Sequence, residues 1–405
     1  MRTFASELEQ LASQHLRRRV ESFQAAGGVG LRAGDGSELT GFASNDYLGF
    51  AGSDRLRGLL RDAVERWPVG AGASRLVTGT QGAPGELEVA LAAVKGTEAA
   101  VAFSSGYAAA VGTMSAVLRA GDVVILDQLC HASLIDGARL SGATLRVFPH
   151  NDTERLAKHL AWARRSAGDE ARVMVVTESV FSMDGDRAPL DEIVRLKQAH
   201  GAMLLLDEAH AFGVIGPGGR GLAHEVGVAA QVDISLGTLS KAVGMQGGFV
   251  AGSRELAELL VNRARSFLYS TAVLPPVAAV AAEMVRGVIP GSEGEAARGM
   301  LQANLRRWAE LSGGPVPASP VIPVILGSEE NALAAAAQLR RDGLLVPAIR
   351  YPTVARGRAR LRVSVTAAHS EADLRKLADA LRRLGVLGSA GGGDRLEEDR
   401  AEVPE

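Results

Sequence analysis

The sequence predicts an α/β fold: a large unit built on a mostly parallel sheet, followed by a smaller C-terminal α+β unit. Three observations predict it. Seven short apolar runs between residues 99 and 252 alternate with longer helix-like segments. The runs are continuously apolar, as strands covered on both faces are. Past Pro275-Pro276 the texture changes to alanine-rich helical stretches mixed with short strands. A length of 405 residues suits two such units.

Taken in order, residues 1–45 read as an N-terminal arm. It opens with an amphipathic helix over the first 20 residues, carrying Phe4, Leu8, Leu11 and Leu16 near helical spacing. Residues 46–275 form the large domain. Its strands are AAVAF (99–103), DVVILD (122–127), TLRVF (144–148), RVMVVTE (172–178), AMLLLDE (202–208), DISLG (233–237) and GGFVAG (247–252). Most of the gaps leave room for a crossover helix. Residues 276–387 form the small domain, with helices at 277–287, 294–311, 329–342 and 370–385 around the runs VIPVIL, LLVPAI and RLRVSVT. Residues 388–405 carry six acids and two arginines and read as a disordered acidic tail.

Composition excludes more than it assigns. With 47% hydrophobic and 22% charged residues the chain is not disordered, and 48 glycines without a three-residue period are not collagen. A net charge of −2 gives no global field for nucleic acid or an anionic membrane. The single cysteine, Cys130, forbids an intrachain disulfide and a Cys-rich zinc site. The first residues lack the apolar core of a signal peptide, and no apolar run reaches the roughly 18 residues that span a bilayer. A cytoplasmic protein is expected. No metal is expected, because the eight histidines show no ligand spacing.

In an open α/β sheet, ligands bind beyond the carboxyl ends of the strands. Five successive strand ends here deliver Ser104-Ser105-Gly106-Tyr107, then Asp127 to His131, Glu178 with Ser182 to Asp186, Asp207 to His210, and Thr238 to Lys241. Each has a bland reading as a cap or a solvated loop; all five at one edge argue for a site. A lysine among Thr, Ser and Gly, 34 residues after an aspartate that ends a strand, suits pyridoxal 5'-phosphate. That cofactor needs a lysine for its Schiff base and a carboxylate to keep its pyridine nitrogen protonated. It also needs a donor at its phenolic oxygen and a phosphate cradle. Asp207 with His210 answers the first needs; Thr238 with the Ser105–Tyr107 turn answers the cradle, and His131 can lie flat on the ring. The rival, Gly216-Pro217-Gly218-Gly219-Arg220-Gly221, fits a dinucleotide fingerprint but stands eight residues past its strand end with no clear helix start.

SNDYLG (44–49), GAGASRLVTG (70–79), HASLIDG (131–137), TESVFSMDGD (177–186), LLLDEAHAFGVIG (204–216), GTLSKAVG (237–244) and RLRVSVTAAH (360–369) resemble the α-oxoamine synthases. The likeness runs in order from about residue 10 to 386. It implies a fold-type-I pyridoxal-phosphate transferase, homodimeric, joining an amino acid to an acyl-CoA or acyl carrier protein with loss of carbon dioxide. DEAHAFGVIG, TLSKAVGMQGG, FLYSTAVLPP and AIRYPTV point to L-alanine, with glycine as the alternative.

The resemblance further implies Lys241 as the Schiff-base lysine, Asp207 at the pyridine nitrogen, His210 at the phenolic oxygen and His131 stacked on the ring and near substrate. Gly106, Tyr107 and Ser182 line the cofactor and Thr238 holds its phosphate. Arg362 binds the amino-acid carboxylate, Thr353 contacts substrate, and Arg17 (or Arg19 by ungapped spacing) meets the acyl group. Ser270 and Thr271 reach the neighbouring subunit. Ala211-Phe212 places a large side chain near the cofactor. A non-catalytic pyridoxal-phosphate-binding protein is the alternative of another class; Lys241 and Arg362 together disfavour it.

Overall fold

The computed structural model describes residues 3–168 and 170–387; the acidic tail at 388–405 lies outside the described residues. Seven strands build the large sheet: β1 (Ala99–Phe103), β2 (Val123–Asp127), β3 (Thr144–Phe148), β4 (Val173–Glu178), β5 (Met203–Asp207), β6 (Ile234–Thr238) and β7 (Gly248–Gly252). They lie in the order β1-β7-β6-β5-β4-β2-β3. Six run parallel; β7 is antiparallel to both its neighbours. All seven match the apolar runs read from sequence to within a residue. The exception in character is β3, an edge strand whose Thr144, Arg146 and Val147 are exposed. Arg146 lies over the ring of Trp162 there, 4.1 Å from its centroid.

Alternate residues of the inner strands feed two cores. Val124, Leu126, Val176, Leu205 and Leu236 face helices Gly106–Val117 and Ala132–Ser141. Ile125, Val175, Leu204, Leu206 and Phe249 face the other side, in a core continuous with Leu361, Val363 and Leu374 of the C-terminal unit. On that side Glu208, fully buried, pairs with the buried Lys95 that ends helix Ala83–Lys95 and accepts the amide of Ala223 at 3.1 Å.

The C-terminal sheet pairs Val321–Gly327 with Ala359–Ser364, and the latter with Ala348–Ile349, all antiparallel. Strands Phe23–Ala25, Gly30–Ala33 and Glu38–Gly41, too short and glycine-broken to show in the apolar pattern, form a meander that pairs in parallel with Leu344–Leu345. This ties the N-terminal arm to the C-terminal unit. We propose the division near 275 as a joint rather than a gap. Helix Pro275–Glu283 packs on Asp54–Arg66 and Ala83–Lys95, while Ser292–Ser312 packs on Glu371–Arg383.

One expectation changes. The first helix spans only Phe4–Ser13, and none of its residues is buried. It stops where His15 takes a positive φ of 56°, a left-handed conformation that cannot continue an α-helix. The Gly216–Gly221 segment forms a 3₁₀ turn before a helix of four residues, so it presents no helix N-terminus to a dinucleotide. Among the described residues no helix is long and apolar enough to cross a membrane.

His150 clamps the site's loops. Its Nδ1 lies 3.1 Å from Asp127 Oδ1 at the end of β2, and its Nε2 lies 2.7 Å from Asp186 Oδ2 in the loop after β4. Burial opposes its charge, but the two carboxylates outweigh that and push its pKa up to about 10. A pKa raised on folding stabilises fully below the ordinary value of 6.5 and is lost as pH climbs through about 10. The stability gap between wild type and His150→Gln, measured by urea unfolding, is therefore expected to shrink from pH 6.5 to 10. A constant gap would contradict the clamp.

Candidate active site

The carboxyl ends of β1, β2, β4, β5 and β6 meet in one cavity of about 250 Å³. After β1, Ser105 caps helix Gly106–Val117 by accepting the Ala108 amide at 3.1 Å. The amides of Gly106 and Tyr107 at that N-terminus make no hydrogen bond among the described residues, which suits an anion. Close approach is needed here: a Cβ on Gly248 of β7 would lie 2.4 Å from the Ser105 carbonyl oxygen. After β6, the Thr238 hydroxyl donates to the Gly247 carbonyl (2.9 Å) and accepts the Ser240 amide (3.2 Å), fixing the turn that carries Lys241.

Asp207 ends β5. One oxygen accepts the Ala209 amide at 2.9 Å; the other makes no hydrogen bond among the described residues. Burial raises its pKa, and the Lys241 ammonium opposes the rise. Lys241 Nζ lies 2.8 Å from His210 Nε2. Burial lowers the lysine from 10.5 to about 8, against the pull of Asp207 and Glu178. His210 is buried and held well below its ordinary value, so it is neutral. Its Nδ1 lies 2.6 Å from the hydroxyl of Tyr47, itself fully buried. His131 caps helix Ala132–Ser141 through Nδ1, and burial lowers its pKa. Glu178 accepts the amides of His131 (2.5 Å) and Ser182 (3.2 Å), tying together two loops of the cavity. Burial, then the charge of Asp207, raise it to about 8.

Of the residues named from sequence, Gly106, Tyr107, His131, Asp207, His210, Thr238 and Lys241 line the cavity together. Ser182 and Arg362 sit beside it. Arg362 Nε donates to the Ser182 carbonyl (2.6 Å), and its Nη1 to Asn45 Oδ1 (3.1 Å) and Ser364 Oγ (2.9 Å). Its guanidinium is buried, yet no carboxylate pairs with it among the described residues. Its strand neighbour Arg360 is paired, with Asp184 at 2.7 Å.

Thr353 lies away from the cavity lining. The side chain that reaches it is Arg18, at 3.2 Å, rather than Arg17 or Arg19. Ser270 and Thr271 line a separate recess with Ser104 and Arg75. Phe212 corrects an expectation: it packs edge-on to Phe249, with ring centroids 5.1 Å apart, in the core and not in the cavity. The turn after β5 sends Ala209 and His210 toward the cavity and buries Phe212 behind them.

Sequence reasoning passed over Asn45, Tyr47 and Glu178. The first two lay inside the quoted SNDYLG motif, as polar groups between Phe42 and Leu48, which are both buried. Glu178 was seen as a strand end, but only the fold shows its two amide bonds.

Residues 37–381 match the family of class I and II aminotransferases. The chain is 47% identical to an 8-amino-7-oxononanoate synthase of Anaeromyxobacter dehalogenans, over 91% of this chain and 92% of that one. The corresponding synthase of Geobacter sulfurreducens is 44% identical, over 95% and 98%. The chain belongs to the class I and II aminotransferase family. Within it, a lysine-to-alanine serine palmitoyltransferase from S. paucimobilis with bound PLP–myriocin aldimine superimposes with a TM-score of 0.86. That protein is 30% identical, with 95% of this chain and 98% of that one covered.

The site of this aminotransferase-family chain fits pyridoxal 5'-phosphate on its own chemistry. It offers one amine for the aldehyde, a buried carboxylate oxygen left unbonded, free amides at a helix N-terminus, and an imidazole within reach of the amine. With the lysine near 8, amine labelling of the cofactor-free protein is expected to single out Lys241 with a midpoint near pH 8, read by peptide mapping across pH. Labelling of Lys241 only above pH 10, like an exposed lysine, would count against its burial-lowered amine.

Proposed function

We propose that this chain is an 8-amino-7-oxononanoate synthase. It condenses L-alanine with a pimeloyl thioester, pimeloyl-CoA or pimeloyl carrier protein, releasing carbon dioxide and the free thiol, in biotin biosynthesis. The observation that carries the reading is Arg362. A buried guanidinium with only neutral partners is costly unless a ligand supplies the anion, and an amino-acid carboxylate does so bidentately. That arginine is joined by hydrogen bonds to the cavity that holds Lys241 and Asp207. A non-catalytic binder of the cofactor has no use for it.

Bound pyridoxal phosphate supplies an electron sink for the charge that develops at the substrate Cα. The rest is done by side chains. Arg362 fixes the alanine carboxylate and so orients the Cα bonds. Lys241 Nζ, whose lowered pKa leaves a usable free-amine fraction near neutrality, takes the Cα proton and later returns one. Asp207, held by the Ala209 amide, would offer its free oxygen to the pyridine nitrogen. The open amides of Gly106 and Tyr107, with Thr238 beside them, would hold the phosphate. His131 would cover the ring, with Ser182 at the cavity's edge. Arg17 and Thr353 remain the residues we assign to the acyl side, joined by Arg18, which donates to Thr353.

Leu76, Val77, Tyr269 and Leu274 are exposed around Ser270 and Thr271, and support a homodimer that buries them. With one buried cysteine, the compartment we assign is the cytoplasm.

The test is thiol release from a panel of acyl thioesters with L-alanine or glycine. Release with alanine and pimeloyl-CoA is expected. Turnover with glycine and acetyl-CoA alone would instead identify a glycine C-acetyltransferase. Lys241→Ala is expected to lose the borohydride-sensitive visible absorbance along with turnover. Asp207→Ala is expected to retain cofactor poorly and to lose at least about a hundredfold in activity.

A further inference from the structure

A continuous chain of side chains runs from the C-terminal sheet to the lysine: Arg362, Asn45, Tyr47, His210, Lys241. Donor and acceptor roles along it are forced. An arginine only donates, so the 3.1 Å contact from Arg362 Nη1 requires the carbonyl oxygen of Asn45 at that place. A carbonyl oxygen only accepts, so the Tyr47 hydroxyl, also 3.1 Å away, must donate to it. The tyrosine has one proton, and burial keeps it there by raising the phenol's pKa. Its oxygen is therefore left to accept from His210 Nδ1 at 2.6 Å. A neutral imidazole with its proton on Nδ1 has a bare Nε2, and the lysine donates to it at 2.8 Å.

We propose that Tyr47 is a positioning residue for the reaction: its hydroxyl holds His210 in the Nδ1–H tautomer, so that Nε2 faces Lys241 and the cofactor as an acceptor. The functional half of this statement rests on the reading given above. The chemistry alone asked for a donor at the phenolic oxygen. The network offers an acceptor instead, so a hydrogen bond between His210 and a bound cofactor would take its proton from the cofactor. Tyr47 lies outside the cavity lining and reaches it through His210.

The test uses full-length enzyme labelled with 15N in histidine, with and without pyridoxal phosphate. His210 is assigned from the signal missing in His210→Asn. In the wild type, Nδ1 is expected to be the protonated nitrogen. In Tyr47→Phe the Nδ1–H would be buried without an acceptor, and the tautomer ratio is expected to move about tenfold toward Nε2–H. If that variant does not fold, Asn45→Leu frees the tyrosine proton for Nδ1 and is expected to move the ratio the same way. An Nε2–H histidine in the wild type, or an unchanged ratio in the variants, overturns the proposal. The reading beneath it is checked separately by the wild type's borohydride-sensitive absorbance. Its absence sinks the cofactor assignment, whereas its presence with an unmoved tautomer sinks Tyr47 alone.

Discussion

The structure turns on keeping one carboxylate, Asp207, out of water at the end of an interior strand. An isolated buried carboxylate costs several kcal/mol, so something must compensate at each of its oxygens. The Ala209 amide serves one, and the Lys241 ammonium lies close enough to oppose protonation. Its own backbone carbonyl is also occupied, by the Ser179 amide at 2.8 Å and the Ser179 hydroxyl at 3.1 Å. Successive residues at the strand end face opposite ways. Asp207 therefore meets the cavity, while Glu208 enters the core and takes Lys95 as its partner. Two adjacent acids thus meet different fates. The outward one is left partly unsatisfied, with one oxygen open to the cavity.

The sheet explains how the partners arrive. Because β7 runs antiparallel between β1 and β6, those two strands point the same way, with the intervening strand returning between them. The helix N-terminus after β1 and the lysine turn after β6 are brought together by that arrangement. Contact is close enough that a Cβ on Gly106 would sit 3.4 Å from Thr238 Cβ. At Gly248, where a Cβ would lie 2.4 Å from the Ser105 carbonyl oxygen, glycine is a packing requirement of the cradle.

Six of the seven strands were legible because each is a short apolar run buried on both faces between turn signals, and the edge strand β3 because its run has the same length and spacing. The site was legible because five of those strands end in titratable or phosphate-binding groups at one edge of the sheet. What stayed hidden depended on contacts distant in sequence. Tyr47 bonds His210 across 163 positions, and Arg362 bonds Asn45 across 317. No local pattern encodes either. Phe212 misled because neighbours in sequence were taken as neighbours in space; one residue of the turn faces the cavity and another the core. Leu16 misled because the helix ends at Ser13, before the positive φ of His15, and spacing alone does not show where the backbone leaves the helix.

Arg360 and Arg362 complete the logic. Two residues apart on one strand, they project from the same face of the small sheet toward the loop Ser182–Asp186. Arg360 is neutralised there by Asp184 and by the Met183 carbonyl at 3.0 Å. Arg362 receives only neutral groups, one of them the Ser182 carbonyl from the same loop. The first arginine therefore holds the loop that positions the second, and the second keeps an unspent charge. Had both been paired, the two units would be equally well fastened, and nothing at the joint would select a carboxylate. The unpaired charge is affordable because the loop, Asn45 and Ser364 solvate it with oxygen atoms while leaving its positive field intact. A site built that way keeps a positive charge ready for an anion, next to the cavity that holds the Lys241 amine.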